Sequence, residues 1–324
     1  MRFGNFVVGN ATLHLGDCLE ILRTMPDASV HTCVTSPPYF GLRDYGVDGQ
    51  IGLEPTPDEY VARMVEVFRE VRRVLRDDGT LWLNLGDSYA GAGYSNHANT
   101  GGAKREDGGK QKHLTGSGLK NKDLIGIPWR VAFALQADGW YLRQDIIWHK
   151  PNPMPESVRD RCTKAHEYIF LLSKSPRYYF DHEAMKEPGV IPAGTKGAKG
   201  SAERAAQPGV NSRPPEYKVY DGMRNKRSVW TVTTKPFKGA HFATFPPDLI
   251  EPCILAGCPE GGTVLDPFGG AGTTGLVATQ AGRNAVLCEI NPEYVEMARK
   301  RIDAASLDAR RRIEDAQRQG RLIA

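Results

Sequence analysis

Five residues near the amino end, Thr35-Ser36-Pro37-Pro38-Tyr39, place a hydroxyl, a rigid backbone and an aromatic ring directly after an apolar stretch. The two prolines lack a backbone N–H and fix their φ angles, so they cannot continue a strand ladder and instead form a stiff corner. A plain turn does not need this stiffness. The pattern therefore indicates a corner that holds carbonyl groups and side chains in place for a ligand.

A second candidate site lies near the carboxyl end, in the stretch VLDPFGGAGTTG at 264–275. Its pattern predicts a strand, a glycine loop and a helix from about Thr273, and glycines let a backbone approach a ligand closely. A second predicted strand ends at the acid Glu289, 17 residues after Gly272. A spacing of roughly 20 residues is expected for a carboxylate that binds ribose hydroxyls. The region therefore has the pattern of an adenosine-binding βαβ unit.

The same loop argues against several adenosine cofactors. No Lys-Ser or Lys-Thr pair follows its last glycine, and its glycines are not spaced as GxGxxG, so neither a Walker loop nor a dinucleotide fingerprint is present. Asp266 would repel a pyrophosphate, whereas a carboxylate can hold an ammonium group. A cofactor with a positive amino-acid head and no phosphate fits better, which indicates S-adenosylmethionine (AdoMet).

Alternating strands and helices must position these two stretches. The predicted strands are 11–17, 29–36, 80–89, 140–150 and 165–174, and the predicted helices include 56–79, 123–139 and a charged tail after Ile302. The helix at 56–79 is amphipathic, with Thr56 as its cap and Gly79 as its end. Such alternation predicts a doubly wound α/β sheet.

Two segments interrupt this alternation. Residues 91–118 hold eight glycines, which predicts a long mobile loop. Residues 186–240 hold eleven Lys or Arg against four acids, a balance of +7 that exceeds the +4 of the whole chain. This basic segment is either a solvated loop or a phosphate-contacting surface. Aromatic residues within it, among them Tyr220 and Trp230, favour contact with bases or sugars as well.

The composition of the 324-residue chain sets wide limits. A hydrophobic content of 40% supports a core, and a pI near 8.6 permits a polyanionic partner without requiring one. No apolar run reaches the roughly 18 residues of a membrane span, and the amino end lacks a signal-peptide pattern, so we expect a cytoplasmic protein. The six cysteines form no CxxC pair, which predicts reduced core residues and no metal site.

Taken together, the two candidate stretches resemble those of the amino-group DNA methyltransferases, which methylate the exocyclic amines of cytosine or adenine. TSPPY at 35–39 is similar to their catalytic motif, and DPFGGAGTT at 266–274 is similar to their AdoMet loop. The catalytic strand precedes the AdoMet loop, a permuted order that resembles the β class. This resemblance covers residues 11–303 and implies a Rossmann-like AdoMet-dependent methyltransferase fold with a small irregular target-recognition region.

The resemblance also implies roles for individual residues. Catalysis falls to Ser36, Pro37, Pro38 and Tyr39. The implied AdoMet contacts are Asp17, Thr35, Phe245, Pro246, Asp266, Pro267, Phe268, Gly269, Gly270, Gly272, Thr273, Thr274, Glu289 and Ile290. The stretch 241–249 is similar to a segment that closes over AdoMet, and 146–161 to one near the target base. Within the basic segment, the candidate DNA contacts are Arg213, Arg224, Lys226 and Arg227.

In an enzyme of this family the exocyclic amine is a poor nucleophile, because its lone pair is conjugated with the ring. The Ser36 hydroxyl and the Pro37 carbonyl can accept hydrogen bonds from the amine and favour a pyramidal nitrogen, while Tyr39 can stack on the flipped base. The methyl group then transfers in line. A carbon-5 cytosine enzyme would need a cysteine nucleophile. The single Pro-Cys pair, Pro252-Cys253, lies on a predicted helix just before the AdoMet loop, so we interpret Cys253 as a core residue.

The target and the partners follow from the same resemblance. A serine at position 36 favours cytosine N4 over adenine N6 by family analogy, and adenine N6 remains the alternative. An RNA or protein-amide methyltransferase and a catalytically inactive DNA-binding module are further alternatives. The expected partner is double-stranded DNA, with a homodimer and a cognate restriction endonuclease as further expectations.

The domain prediction divides the chain into four parts. We expect a catalytic half at 1–185 with a mobile loop at 90–122, a target-recognition region at 186–240, an AdoMet-binding half at 241–306 and a helical tail at 307–324.

Overall fold

The computed structural model describes residues 4–42, 46–47, 49–90, 118–198, 217–235 and 245–322. Its contacts divide the chain into two compact units, one made of 1–180 with 228–324 and the other of 181–227. The predicted mobile loop at 90–122 lies outside the described residues, apart from Ala90 and 118–122 at its ends.

The strands alternate with helices along most of the chain. The strands are β1 (Gly4–Val8), β2 (Ala11–Leu15), β3 (Val30–Thr35), β4 (Leu75–Leu85), β5 (Tyr141–His149), β6 (His166–Ser173), β7 (Lys186–Pro188), β8 (Lys196–Ala198), β9 (Tyr217–Val219), β10 (Met223–Asn225), β11 (Val229–Thr231), β12 (Thr263–Asp266) and β13 (Asn284–Glu289). The helices are α1 (Cys18–Thr24), α2 (Pro57–Val74), α3 (Ile127–Ala137), α4 (Pro247–Gly257), α5 (Thr273–Gln280) and α6 (Pro292–Leu322).

Nine of these strands form one sheet in the first unit, in the order β1-β2-β13-β12-β3-β4-β6-β5-β11. The five strands from β2 to β4 are mutually parallel, whereas β1 and β6 run antiparallel to their neighbours. Because β12 and β13 lie between β2 and β3, the carboxy-terminal strands are inserted among the amino-terminal ones. The doubly wound, Rossmann-like α/β prediction with a permuted order is confirmed.

Helices cover both faces of this sheet. Side chains alternate along a strand, and in β4 the fully buried Leu81 and Leu83 share a core with Val71 of α2. The alternate positions Thr80 and Trp82 instead face Gly257 of α4, where a Cβ would come within 2.9 Å of both side chains. The central strands are therefore buried on both sides, as their continuous apolar runs predict.

The long amphipathic helix differs from its prediction at one end. Thr56 forms the expected capping box with Glu59, but the helix ends at Val74 and the prediction of an end at Gly79 was wrong. Leu75 already pairs with Val30 in the sheet. Gly79 instead lies within β4. A Cβ there would come within 3.1 Å of the backbone oxygen of His31, so glycine allows the two strands to approach closely. A glycine signals close backbone approach as readily as a helix end.

The described part of the second unit contains two small antiparallel ribbons, β7 with β10 and β8 with β9. Two described ion-pair groups stabilise it. Glu187 Oε1 accepts from Arg224 at 3.0 Å and from Arg227 at 2.8 Å. Lys186 pairs with Asp221 at 3.3 Å and with Glu183 at 2.8 Å.

The structure corrects one interpretation inside the basic segment. Trp230 lies on β11, which pairs with β5 of the first unit, and only 5% of its surface is exposed. Its interpretation as a base-contacting residue was therefore wrong, since it belongs to the core.

The helical tail continues α6 without a break as far as Leu322. Of the six free cysteines, five are buried and Cys162 is exposed. None of the described helices combines the length and apolar character that a bilayer crossing needs.

Candidate active site

One edge of the large sheet collects most of the predicted site residues. The carboxyl ends of parallel strands meet at the same edge. Ser36 follows β3, Asp266 ends β12, Glu289 ends β13, Asp17 follows β2 and Gly86 follows β4. The proline corner and the glycine loop, far apart in sequence, are thus neighbours at this edge.

The carboxylate of Asp266 joins the corner to the loop. Thr35 Oγ1 donates to Asp266 Oδ1 at 2.6 Å, and Thr274 Oγ1 donates to Oδ2 at 2.6 Å. The backbone N–H of Phe268 donates to Oδ1 at 3.0 Å. Only 1% of Asp266 is exposed, and burial raises its pKa against the pull of these three donors. The side chain therefore organises the site from beneath rather than presenting a free carboxylate to a ligand.

The three predicted glycines of the loop have different surroundings. A Cβ on Gly269 would lie 3.0 Å from Leu287 of β13, and one on Gly272 would lie 2.6 Å from Ala298 of α6. Gly270 has a φ of +49°, and a Cβ there would meet no atom closer than 3.9 Å. Two glycines therefore allow tight packing, while the third leaves open space where a ligand can approach the backbone.

Glu289, the last residue of β13, holds the glycine loop in place through a hydrogen bond from Gly270. The N–H groups of Gly270 and Asn291 donate to its two carboxylate oxygens, each at 2.8 Å. Burial raises its pKa to about 7, and the charge of Asp266 adds to the rise. The residue as a whole is partly exposed, and each carboxylate oxygen retains capacity for a further donor such as a hydroxyl.

The other predicted cofactor residues fall into two groups, those that are partly exposed and those that are buried. Phe268 and Ile290 are partly exposed beside the loop. Pro267, Thr273 and Thr274 are buried and support its backbone. Phe245 is partly exposed and Pro246 is buried at the start of α4, whereas 241–244 of the predicted closing segment lie outside the described residues. Asp17 caps α1 by accepting from the N–H of Glu20 at 3.0 Å.

The proline corner is held from the side. Tyr60 of α2 donates its hydroxyl to the Pro38 carbonyl at 2.9 Å. Pro37 is buried, whereas Ser36 is partly exposed. The Pro38 carbonyl is thus occupied by the protein, while part of the Ser36 surface remains accessible to a substrate.

Tyr39 is fixed at both its ring and its hydroxyl. A Cβ on Gly86 would lie 2.5 Å from Tyr39 Cε2, so the ring rests directly on the backbone beyond β4. The phenol donates to Glu167 Oε2 at 2.7 Å and approaches Asn84 Oδ1 at 3.3 Å. Burial and the nearby charge of Glu167 raise the pKa of Tyr39 well above its usual value, so the phenol stays protonated.

Two site residues, Glu167 and Lys150, were not found from the sequence. They form an ion pair whose side chains are only 15% and 18% exposed, and Asn84 Nδ2 donates to Glu167 Oε2 at 3.2 Å. The Lys150 ammonium also lies 4.2 Å from the centre of the Trp148 ring. The stretch 146–161 pointed to Lys150 only as part of a region near the target base, and no spacing pointed to Glu167.

A small cleft opens beside the Tyr39 ring. It is lined by Tyr39, Phe40, Leu42, Gly86, Asp87, Ser88 and Ile127. Asp87 Oδ1 accepts from the N–H groups of Gly126 and Ile127 at 3.0 and 3.1 Å.

Within the described ranges, no three His, Cys, Asp or Glu side chains are grouped as a metal site would require.

The candidate DNA contacts belong to the second unit. Arg224 and Arg227 meet at Glu187, and the Lys226 N–H donates to the Met185 carbonyl at 3.0 Å. Arg213 lies outside the described residues.

Comparison with known proteins places these features in context. Residues 30–300 match the N6_N4_Mtase family model, described as DNA methylase. The chain is 50% identical over 301 residues to the type II methyltransferase M.Cfr9I of Citrobacter freundii, covering 91% of this chain and 88% of that protein. It is 47% identical to the type II methyltransferase M.SmaI of Serratia marcescens, with 89% of each chain covered.

Solved structures share the fold at lower identity. The PvuII DNA methyltransferase, described as cytosine-N4-specific, superposes with a TM-score of 0.62 at 20% identity, covering 95% of this chain and 96% of its own. The protein TTHA0409 of Thermus thermophilus was solved in complex with S-adenosyl-L-methionine and gives a TM-score of 0.55 at 24% identity, covering 91% of this chain and 93% of its own.

Proposed function

The chain belongs to the amino-group (N4/N6) DNA methylase family, and from that premise we propose that it methylates the exocyclic N4 amine of cytosine in duplex DNA. Family membership makes it a type II DNA methyltransferase with AdoMet as the methyl donor. The choice of base and the residue roles below belong to the proposal.

One observation carries the proposal: the 2.6 Å hydrogen bond between Thr35 and Asp266. Thr35 directly precedes the catalytic serine, and Asp266 begins the glycine loop. A methyl transfer needs the donor and the amine within one site, in a near-attack arrangement. This bond ties the segment that would hold the amine to the segment that would hold the donor.

The residues present fit AdoMet, which when bound supplies an electrophilic methyl group on a sulfonium. The backbone of Gly270 is open to a ligand, and Glu289 retains acceptor capacity for ribose hydroxyls. Phe268 and Ile290 offer partly exposed apolar surface beside them. Asp266 contributes by shaping the loop, since its own oxygens are occupied by protein donors.

The corner supplies the groups that activate the amine. Ser36 is partly exposed, and its hydroxyl oxygen can accept an N–H of the amine. The rigid ring of Pro37 restricts the backbone around its carbonyl. The hydrogen bond from Tyr60 holds the next carbonyl along the chain, that of Pro38. Tyr39 offers a ring for stacking on a flipped base. Such preorganised acceptors stabilise the positive charge that develops on the nitrogen during transfer.

The second unit is the proposed DNA-contacting element. Its described arginines and Lys226 provide cationic groups for phosphates or base edges. Glu187 holds Arg224 and Arg227 together in the free protein, and DNA phosphates would compete for them. A homodimer and a cognate restriction endonuclease are further proposals, the first testable by light scattering.

Cytosine is proposed over adenine because the corner carries Ser36 rather than an acid or an amide. The PvuII methyltransferase, which shares the fold, is named cytosine-N4-specific, but at 20% identity that likeness supports only the fold.

The test is methyl transfer from labelled AdoMet to duplex DNA, followed by mass spectrometry of the released nucleosides. The proposal expects N4-methylcytosine from the unchanged protein and little from Ser36→Ala. N6-methyladenine instead would overturn the choice of base but keep the class. Parallel reactions with RNA and with protein test the remaining alternatives, and labelling of either in preference to DNA would refute the DNA substrate.

A further inference from the structure

The carboxy-terminal helix α6 packs directly against the glycine loop and the start of α5. A Cβ on Gly272 would lie 2.6 Å from the Cβ of Ala298, and one on Gly275 would lie 2.6 Å from Cδ1 of Ile302. Both distances are too short for real side chains, so the two backbones approach as closely as only glycine allows.

Arg301 lies between these two contacts on α6 and reaches the loop with its side chain. Its Nη1 donates to the backbone carbonyl of Ala271 at 2.6 Å and to Thr273 Oγ1 at 3.3 Å. The residue lies 30 positions from Ala271 in sequence and outside both motifs. No spacing in the sequence pointed to it.

The N–H groups of the loop have other partners. Gly269 donates to the Cys288 carbonyl, Gly270 to Glu289 Oε2 and Gly272 to the Gly269 carbonyl, each at 2.8 Å. The loop is therefore held from two sides: β13 binds its N–H groups, and the guanidinium from α6 binds a carbonyl.

The bond from Arg301 is of a strong kind. Its donor is charged, which makes a hydrogen bond shorter and stronger than one between neutral groups. The contact is partly buried, where such a bond is stronger than in water. Burial lowers the pKa of Arg301, but a guanidinium keeps its charge in proteins.

We propose that Arg301 is a positioning residue that holds the glycine loop in its AdoMet-binding conformation before AdoMet arrives. This inference rests on the assignment of the loop to AdoMet in the proposed function and deepens it. A glycine-rich backbone has many conformations to lose, so a loop that is already ordered binds its ligand at a lower entropic cost.

The proposal separates affinity from turnover. When only a fraction of the molecules has the ordered loop, the apparent dissociation constant rises by the inverse of that fraction. Saturating AdoMet then selects the ordered loop again. Loss of the Arg301 bond should therefore weaken AdoMet binding and leave kcat at saturating AdoMet nearly unchanged.

The experiment measures AdoMet affinity by isothermal titration and methyl transfer to duplex DNA for Arg301→Met, whose unbranched apolar side chain replaces the stem of the arginine. We expect the dissociation constant to rise at least about tenfold, with kcat at saturating AdoMet within about twofold of the unchanged protein. Thermal unfolding shows whether each variant is folded. Arg301→Gln, whose amide ends two bonds short of the guanidinium Nη1, supplies the comparison if Arg301→Met does not fold.

The sign of the effect distinguishes loop ordering from simple charge. AdoMet carries a sulfonium and an ammonium against one carboxylate, so its net charge is positive. Removal of a nearby cation would by itself strengthen binding, whereas loss of the ordered loop weakens it. Arg301→Lys keeps a charged donor and should recover part of the affinity that Arg301→Met loses.

Hydrogen exchange measures the order of the loop directly. Without AdoMet, peptides that cover 266–275 should exchange at least about tenfold faster in Arg301→Met than in the unchanged protein. Saturating AdoMet should remove most of this difference. Peptides from β3 and β4 should keep their rates, since only a general loss of stability would affect them.

Arg299→Met is the matched control. Arg299 lies on the same helix, two positions away, and pairs with Glu296 through two hydrogen bonds of 2.8 Å. Its substitution also removes one cation from α6, but it leaves the Ala271 contact in place. AdoMet affinity and loop exchange should therefore stay at the values of the unchanged protein.

Three results would overturn the inference: an AdoMet affinity of Arg301→Met within about twofold of the unchanged protein, tighter binding, or a fall in kcat as large as the loss of affinity. Faster loop exchange with unchanged affinity would place the AdoMet site elsewhere. The proposed function is tested separately by the unchanged protein, because absence of transfer to DNA would defeat that function, whereas the titrations contain no DNA.

Discussion

AdoMet affinity should depend on the protonation of Glu289. Burial raises the pKa of this carboxyl from its ordinary value of 4.5 to about 7 in the free protein. Ribose hydroxyls donate hydrogen bonds, so a bound nucleoside favours the ionised carboxylate. Raising the pH from 6 to 8 should therefore strengthen AdoMet binding, because the binding form of the site becomes more populated.

The size of the effect follows from the pKa. With a pKa near 7, about one carboxyl in eleven is ionised at pH 6 and about ten in eleven at pH 8. If bound AdoMet returns the pKa to its ordinary value, the dissociation constant should fall about tenfold over this range, or about 1.4 kcal/mol.

Isothermal titration at pH 6, 7 and 8 and constant ionic strength measures this change. The amino group of AdoMet also titrates, since α-amino groups have pKa values of about 7.7–8.0. Glu289→Gln is the control, because it keeps that contribution and removes only the carboxyl. A tenfold change that persists in Glu289→Gln, or a flat profile in the unchanged protein, would refute the assigned role of Glu289.

The same pKa shift affects stability in the opposite direction. The folded chain holds the Glu289 proton at a higher pH than the unfolded chain does. Between about pH 4.5 and pH 7 the unfolded state loses this proton first, so the free protein should lose stability as the pH rises through that window. Urea midpoints of the unchanged protein and Glu289→Gln across the window measure the difference.

Four further predictions address other parts of the molecule. Ser36→Ala should lower kcat at least about a hundredfold while AdoMet still binds, as single-turnover rates and titration would show. Asp266→Ala should weaken AdoMet binding and lower the free energy of urea unfolding by about 1–3 kcal/mol, because buried donors are left without their acceptor. Unchanged affinity would contradict the assignment of the loop. Gly86→Ala should displace the Tyr39 ring, cost about 1–3 kcal/mol of stability and lower kcat. Lys226→Gln should weaken DNA binding and reduce the slope of log affinity against log salt by about one, whereas an unchanged slope would place the phosphate contact elsewhere.

The sequence patterns predicted which strands and helices carry the site more accurately than they predicted where those elements begin and end. The strand before the proline corner, the strand before the glycine loop and the acid Glu289 all lie where the patterns predicted them. The end of α2 was misplaced because Gly79 serves a close backbone approach within β4. Trp230 was misinterpreted because the charges around it in sequence are not its neighbours in the sheet.

The sequence by itself determined which chemistry is present: a hydroxyl on a proline corner, a glycine loop followed by an acid, and through their resemblance a methyl transfer to an amine. These features are local, so residue type and short spacing suffice to recognise them. Only the tertiary structure decided how they meet. Asp266 lies buried beneath Thr35 and Thr274, and Glu167 reaches Tyr39 from another strand of the sheet. Strand order sets such contacts, and strand order depends on packing of the whole core rather than on any spacing along the chain.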